Sequence, residues 1–335
     1  MTDYHYTMTS VQVDESLFYR RSDVTQRLRF LLKYAVVAPS TRNSQPWLFR
    51  LQQDEIWIYS NSARWLKIAD ADKRQLHIAL GGCLQNLLIA AEYYRYKCQV
   101  RYFPSATQPD LVAIVSLRAD KEPPQSRTNE LLHAVSQRRT ARGSFQKQPV
   151  EPLHWQKLQE CCMDGIEMIT SQRFPRMSSK LLELTGLADQ VIYNDRAYRR
   201  EWQQCISAKW YGQSSLRAFF QLIRIKFGNL SKRYAKLHQR TISSAPGIAI
   251  LCAADNSSLM HVKCGQVFQN MALVATTLGM ALQPMSQVLE IPEIRDELLG
   301  EFGKKSLQPL CVFRLGYMKR KTKATPRRPL EDVLI

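Results

Sequence analysis

At 335 residues the chain is long for one simple core, and with 45% hydrophobic and 23% charged residues it has the composition of a folded globular protein. Its 47 Lys and Arg against 29 Asp and Glu leave a net charge of +18, which suits polyanions, anionic lipid or phosphorylated ligands without choosing among them. Residues 1–10 hold no apolar core behind basic residues, so no secretory signal is expected and a cytoplasmic protein is inferred. The most apolar stretch, 76–94, contains Gly81, Gly82, Gln85 and Asn86. Unpaired amides are costly in lipid, so this stretch is read as a buried core helix. The eight cysteines fall mostly in apolar segments and form no C-x-x-C pair. The adjacent Cys161 and Cys162 could be redox-active, but neighbouring residues of a helix point to different faces, and a structural role is favoured. The six histidines show no metal-ligand spacing, so no metal site is expected.

Along the chain, helical periodicity covers 24–37, with Leu28, Leu31, Leu32 and Ala35 on one face, and a turn follows over 38–46. Residues 55–59 alternate as a short strand. A long helix is expected over 70–96, its acidic start and basic end matching the helix dipole. Strands are expected over 99–103 and 111–117, and the polar, proline-bearing stretch 119–128 is the best candidate for a linker. Beyond it lie expected helices near 129–137 and 152–162, a strand at 165–170, helices near 177–192 and 196–209, a strand at 247–253, a helix over 259–278, a short helix near 292–299 and a strand at 310–317. Strands and helices without regular β-α alternation indicate an α+β fold rather than a doubly wound sheet.

A weak internal repeat bears on domain organisation. His77, Gly81, Gln85, Asn86 and Ala91 recur at one constant offset as His261, Gly265, Gln269, Asn270 and Ala275. Each set sits in a long apolar helix followed by a strand-like segment, which predicts a duplicated unit whose two helices pack as a pseudo-symmetric pair.

Four segments invite a functional reading. In Ala38-Pro39-Ser40-Thr41-Arg42-Asn43-Ser44-Gln45-Pro46-Trp47 two prolines hold the loop extended, while Ser40, Asn43 and Gln45 offer donors and acceptors that suit the edge of a heterocycle. The same residues also make an ordinary helix-to-strand turn. Arg138-Arg139-Thr140-Ala141-Arg142-Gly143-Ser144-Phe145 places three guanidinia and two hydroxyls at a helix end, a phosphate-binding set or a solvated basic terminus. In Ala324-Thr325-Pro326-Arg327-Arg328-Pro329-Leu330, prolines restrict an arginine pair that a disordered tail would leave free. Residues 216–240 carry seven Lys and Arg, no acid, and interleaved Phe219, Phe220, Leu222, Ile223, Ile225 and Phe227. They are read as one basic amphipathic helix that rests on anionic membrane, covers a site, or packs on the core with a solvated face.

Taken in order, these segments resemble the nitroreductase superfamily, in which an R-R-S/T-x-R-x-F element binds the phosphate of FMN and an A-P-S-x-x-N-x-Q-P-W loop meets the flavin. Residues 279–287, Gly-Met-Ala-Leu-Gln-Pro-Met-Ser-Gln, look like the family's G-L-x-x-x-P segment along the isoalloxazine, and 310–317 resembles its last core strand. The ending Thr325-Pro326-Arg327-Arg328-Pro329 is similar to that of the long, single-chain Acg-like branch. The resemblance spans most of 24–335. It implies an α+β nitroreductase-like fold, internally duplicated as a fused pseudo-dimer, with central helices and flanking antiparallel or mixed sheets. The implied halves are 1–120 and 121–335, the second carrying the arginine tail.

One departure is informative. Ordinary subunits of the family carry the arginine element before the A-P-S loop, whereas here the loop lies in the first half and the element in the second. Arg20-Arg21-Ser22 precedes the loop but is too close to the following helix and lacks the downstream Arg and Phe, while 165–171 stands where a second loop would be expected. The resemblance therefore implies one FMN per chain, between the halves. It assigns phosphate and ribityl contacts to Arg138, Arg139, Thr140 and Arg142, with Arg327 and Arg328 as further phosphate candidates. Ring contacts go to Pro39, Ser40, Asn43 and Gln45, and one ring face to Pro284, Met285, Ser286 and Gln287, with a backbone N–H near the hydride-accepting nitrogen and no catalytic side chain. No G-x-G-x-x-G follows a strand, so NAD(P)H is expected to share the pocket with a small electrophile such as a nitroaromatic or quinone in ping-pong turnover. A protein that stores or senses flavin without turnover is the alternative. A basic nucleic-acid- or membrane-surface-binding protein is a second, although no nucleic-acid reader motif is present. A monomer or weak dimer is expected.

Overall fold

The computed structural model describes residue 18, residues 23–319 and residues 322–335. Residues 1–10 and the Arg20-Arg21-Ser22 triplet fall outside that set. Helix α1 (Val24–Ala35) starts where the Asp23 carboxylate accepts the backbone N–H groups of Thr25 and Gln26, donors that a helix start otherwise leaves open. It stops two residues short of the expected end as Val37 donates back to Tyr34 in a tightened last turn. Strands β1 (Trp47–Gln52) and β2 (Glu55–Ser60) form an antiparallel hairpin. Strand β1 is an addition to the expected elements, because Trp47, Leu48 and Phe49 stand in a row and mask the two-residue period.

Helix α2 (Arg74–Tyr93) begins four residues later than expected. Asp70 does not join it but folds over its start, accepting the N–H groups of Gln75 and Leu76 at 2.7 and 2.8 Å. Strands β3 (Tyr96–Tyr102) and β4 (Leu111–Ala119) complete a sheet of order β1-β2-β4-β3, antiparallel throughout.

The second sheet repeats that order. After α3 (Ser126–Gln137), which takes up the end of the expected linker, and α4 (Pro152–Gln159) comes β5 (Glu167–Thr170). Four helices follow: α5 (Met177–Asn194), α6 (Arg196–Ser207), α7 (Ser215–Phe227) and α8 (Leu230–Ser243). Then come β6 (Gly247–Ala253), α9 (Ser258–Thr277), β7 (Met280–Pro284), α10 (Gln287–Glu290), α11 (Pro292–Leu298) and β8 (Gln308–Tyr317). The sheet runs β5-β6-β8-β7, again wholly antiparallel, so neither sheet is mixed. The single helix expected over 216–240 is two helices. Any Cβ at Gly228 would stand 2.4 Å from the Arg224 carbonyl oxygen, and Asn229 opens α8 by accepting the Lys232 N–H.

In both sheets a 20-residue helix, α2 or α9, links the second strand in chain order to the third, and these two helices cross at the centre of the molecule. The repeated residues meet there. A Cβ on Gly81 would stand 2.0 Å from the Val262 carbonyl oxygen, and one on Gly265 would stand 2.1 Å from that of Ile78, so each helix needs the other's glycine for its approach. Gln269 donates to Asn86 at 2.7 Å in the buried interface. The rings of His77 and His261 lie 6.1 Å apart and nearly parallel. Burial first, then neighbouring cations, lowers both imidazoles to about 4. Both are therefore expected to stay neutral at pH 5.5, visible in imidazole 15N–1H spectra. Because the unfolded chain takes up these protons from about pH 6.5 downward, the pair weakens the fold as pH falls from 6.5 to 4. Asp70, raised by burial to about 7, acts in the opposite direction over the same interval, so the spectra and not the melting curve isolate the pair.

Two chain segments cross from one sheet to the other's surroundings. Ala141 donates to Leu282, laying the 138–142 segment along β7, and Ile335 donates to Phe49, laying the C-terminus along β1. One apolar core lies among α1, α2, α9 and the facing sides of the sheets. A second lies where α5 sets Leu181, Leu184 and Ala188 against Ile248, Ile250 and Val312. Among the described residues no helix is long and apolar enough to cross a membrane. Burial raises the thiols of Cys161 and Cys162 to about 12 and about 11, so neither is a thiolate at neutral pH.

Candidate functional site

The segments singled out in the sequence converge on one cavity of about 440 Å³. Pro39, Ser40 and Asn43 line it from the loop after α1. Arg138, Arg139, Thr140 and Arg142 line it from the segment after α3, Pro284, Ser286 and Gln287 from the end of β7, and Arg327 from the C-terminal tail.

The loop after α1 is built under strain. Arg42, Asn43 and Gln45 have φ of 52°, 57° and 49°, left-handed conformations that side chains with a Cβ disfavour. The tail holds them there. Arg327 donates to the Asn43 Oδ1 at 3.2 Å and to the Val37 carbonyl at 3.0 Å, while Asn43 Nδ2 donates to the carbonyls of Pro326 and Trp210. The Gln45 N–H donates to Ser40 Oγ at 2.9 Å.

Three expected residues do not reach the cavity. Gln45 is fully buried, its amide oxygen taken by the Arg328 N–H at 2.8 Å. Arg328 contributes that backbone group and turns its side chain to the Asp332 carbonyl. Met285 is buried in the second core, because its N–H pairs with Val312 and continues the β-ladder that points its side chain away from the cavity.

The arginine end of the cavity is electrostatically unbalanced. Arg138 is 8% exposed and Arg327 9% exposed. Among the described residues, no carboxylate lies within ion-pair distance of Arg138, Arg139, Arg142 or Arg327. Burial, reinforced by the charges of Arg327 and Arg139, lowers Arg138 to about 9, and burial followed by Arg139 lowers Arg327 to about 10. Among the described residues the buried Nε atoms of Arg138 and Arg327 have no hydrogen-bond partner. A buried guanidinium facing another, with an unused donor and no counter-ion, is a costly arrangement that an anion would relieve.

Part of the lining is aromatic, which the residue pattern did not reveal. Tyr193, Tyr198, Trp202, Tyr211 and Tyr234 reach the cavity from α5, α6, α8 and the loop after α6. The rings of Tyr193 and Tyr234 stack at 4.5 Å, and Arg42 lies 4.5 Å from the Tyr198 ring centre, joining this helical layer to the strained loop. Spacing of Tyr198 and Trp202 by four residues was a visible signal of a shared face, but which face met the cavity was not. Also unforeseen were Gln75, which accepts from Thr41 and donates to Glu290 at 3.1 Å, and Glu290 itself, whose carboxyl burial raises above the usual range.

Comparison with known proteins follows the same outline. The uncharacterized protein Rv3127 of Mycobacterium tuberculosis is 24% identical over 91% of this chain and 92% of its own length. Acg of the same organism, provisionally named an NAD(P)H nitroreductase, is 24% identical over 92% of this chain and 95% of its own. The likeness to these proteins is distant but spans nearly the whole chain. No family model matches it. Its α+β nitroreductase-like fold sets two antiparallel four-stranded sheets among helices. Among solved structures, the FMN-dependent nitroreductase NfnB of Mycobacterium smegmatis, in complex with NADPH, aligns with 62% of this chain and 97% of its own at 16% identity and a TM-score of 0.41. A Bacteroides fragilis nitroreductase with bound FMN aligns with 58% and 94% at 19% identity and a TM-score of 0.37.

Proposed function

We propose that this protein is an FMN-dependent NAD(P)H oxidoreductase that reduces a small planar electrophile, such as a quinone or nitroaromatic, with one FMN per chain. The observation that carries the proposal is the buried, unpaired arginine cluster opening on the same cavity as the strained loop after α1. A phosphate dianion fits that end because Arg138 Nε and Arg327 Nε are unused donors and no acid competes for them. Arg139, Thr140 and Arg142 complete the phosphate and ribityl contacts, Pro39, Ser40 and Asn43 take the ring edge, and Pro284, Ser286 and Gln287 one ring face.

FMN, when bound, would supply two-electron redox chemistry between NAD(P)H and the electrophile. The chain's own residues bind and orient. Guanidinia neutralise the phosphate, and the tail clamp keeps the loop after α1 in its strained form. The wall of Tyr193, Tyr198, Trp202, Tyr211 and Tyr234 excludes water and offers a flat apolar surface to a planar substrate. We further propose that the chain is an internally duplicated unit divided near residue 120. The common strand order of the two sheets and the reciprocal Gly81 and Gly265 contacts support it.

Purified protein incubated with FMN and desalted is expected to be yellow, with equimolar extractable flavin, and to oxidise NADPH or NADH when menadione or nitrofurazone is added. Colourless protein would end the proposal. Flavin retained without turnover would leave a flavin-binding protein that is not an oxidoreductase.

A further inference from the structure

Helix α7 carries an apolar stripe that no other described residue covers. Leu216, Phe219, Phe220, Ile223 and Phe227 recur at helical spacing and are 42–74% exposed, while Ala218 and Ile225 on the opposite face are buried. Turning through 100° per residue places Arg217 and Arg224 along one border of the stripe and Lys226 along the other. Lys232, Arg233, Lys236 and Arg240 of α8 are exposed as well, and no acidic residue occurs in 216–240.

We propose that this face of α7 docks on an anionic lipid bilayer, with the five apolar side chains entering the acyl boundary and the flanking cations meeting lipid phosphates. Charge complementarity selects this occupant. A second copy of the face would oppose Arg217, Arg224 and Lys226 with three more cations, and a nucleic acid would satisfy the cations but leave three phenylalanines in water. An anionic bilayer accommodates both sets at once. The proposal does not depend on FMN or on turnover, so it stands or falls apart from the proposed activity.

The test is sedimentation of the full-length protein with vesicles of phosphatidylcholine alone or mixed with phosphatidylglycerol, at low and high salt. Unaltered protein is expected to pellet with the mixed vesicles at low salt, less at high salt, and hardly at all with phosphatidylcholine. The double change Phe219→Ser and Phe220→Ser, checked for unchanged circular dichroism and thermal midpoint, is expected to weaken partitioning roughly tenfold or more. Neutralising Arg217, Arg224 and Lys226 to Gln is expected to remove much of the salt dependence. Absence of binding, binding indifferent to lipid charge, or binding undiminished in both variants overturns the proposal. Self-association abolished by the serine changes, without vesicle binding, would assign the face to a second copy and equally overturn it.

Discussion

Arg138→Met is expected to weaken FMN binding by about 100-fold while making the FMN-free protein more stable. The loss follows from removing a desolvated, charge-assisted contact to phosphate, about 2–3 kcal/mol for a well-formed set. The gain follows from the state of Arg138 in the structure. Its guanidinium is buried, its Nε has no hydrogen-bond partner among the described residues, its bond to Thr140 Oγ1 is long at 3.5 Å, and the charge of Arg327 opposes its own. Methionine keeps most of the apolar volume and removes the charge, a replacement worth about 1–2 kcal/mol to the unliganded fold. Flavin fluorescence titration and thermal melting of the FMN-free protein measure the two effects. A variant that binds FMN like the parent would show that the cluster is not the phosphate site. A less stable unliganded variant would show that Arg138 is satisfied within the protein.

Gly265→Ala and Gly81→Ala are each expected to destabilise the protein by about 3 kcal/mol or more, at the upper end for overpacking. In both cases the new methyl would stand about 2 Å from a carbonyl oxygen of the facing helix, and helix backbone cannot rotate away as a side chain can. Relief requires α2 and α9 to separate, opening the central core and breaking the 2.7 Å bond from Gln269 to Asn86. Gly186→Ala supplies the control. Gly186 lies within α5 with nothing within 4 Å of the added methyl, so alanine there is expected to stabilise by up to about 1 kcal/mol. Denaturant unfolding of the three variants separates a steric effect at the crossing from a general response to alanine. Equal stability of the parent and Gly265→Ala would mean that the two helices do not approach so closely.

The elements were legible where packing imposes a period. Leu28, Leu31 and Leu32 marked one face of α1 because only one side of that helix meets the core. Strand β1 escaped because three consecutive apolar residues conceal alternation, and the break in the expected helix over 216–240, where Gly228 passes the Arg224 carbonyl more closely than a Cβ would allow, leaves no trace in hydropathy.

The chemistry-bearing segments were legible for a different reason. Prolines that restrain a polar loop and arginines spaced around a threonine are local features, and the residue types alone limit what they can bind. What those features do not contain is direction. Whether Gln45 faces a ligand or the Arg328 N–H is decided by a chain segment some 280 residues away, and the side chain of Met285 follows the β-ladder partner of its backbone.

The sequence by itself therefore determined the helical and strand faces, the paired glycines of the two long helices, and the inventory of cations, amides and hydroxyls available to a phosphate-bearing ligand. Tertiary packing alone brings those groups to one cavity, carries the C-terminal tail across to hold the loop after α1, and adds five aromatic residues from α5 to α8 to the lining. The physical reason is that periodicity and residue chemistry act over a few residues, whereas burial without a counter-ion, backbone strain and side-chain direction arise only when distant segments compete for the same space.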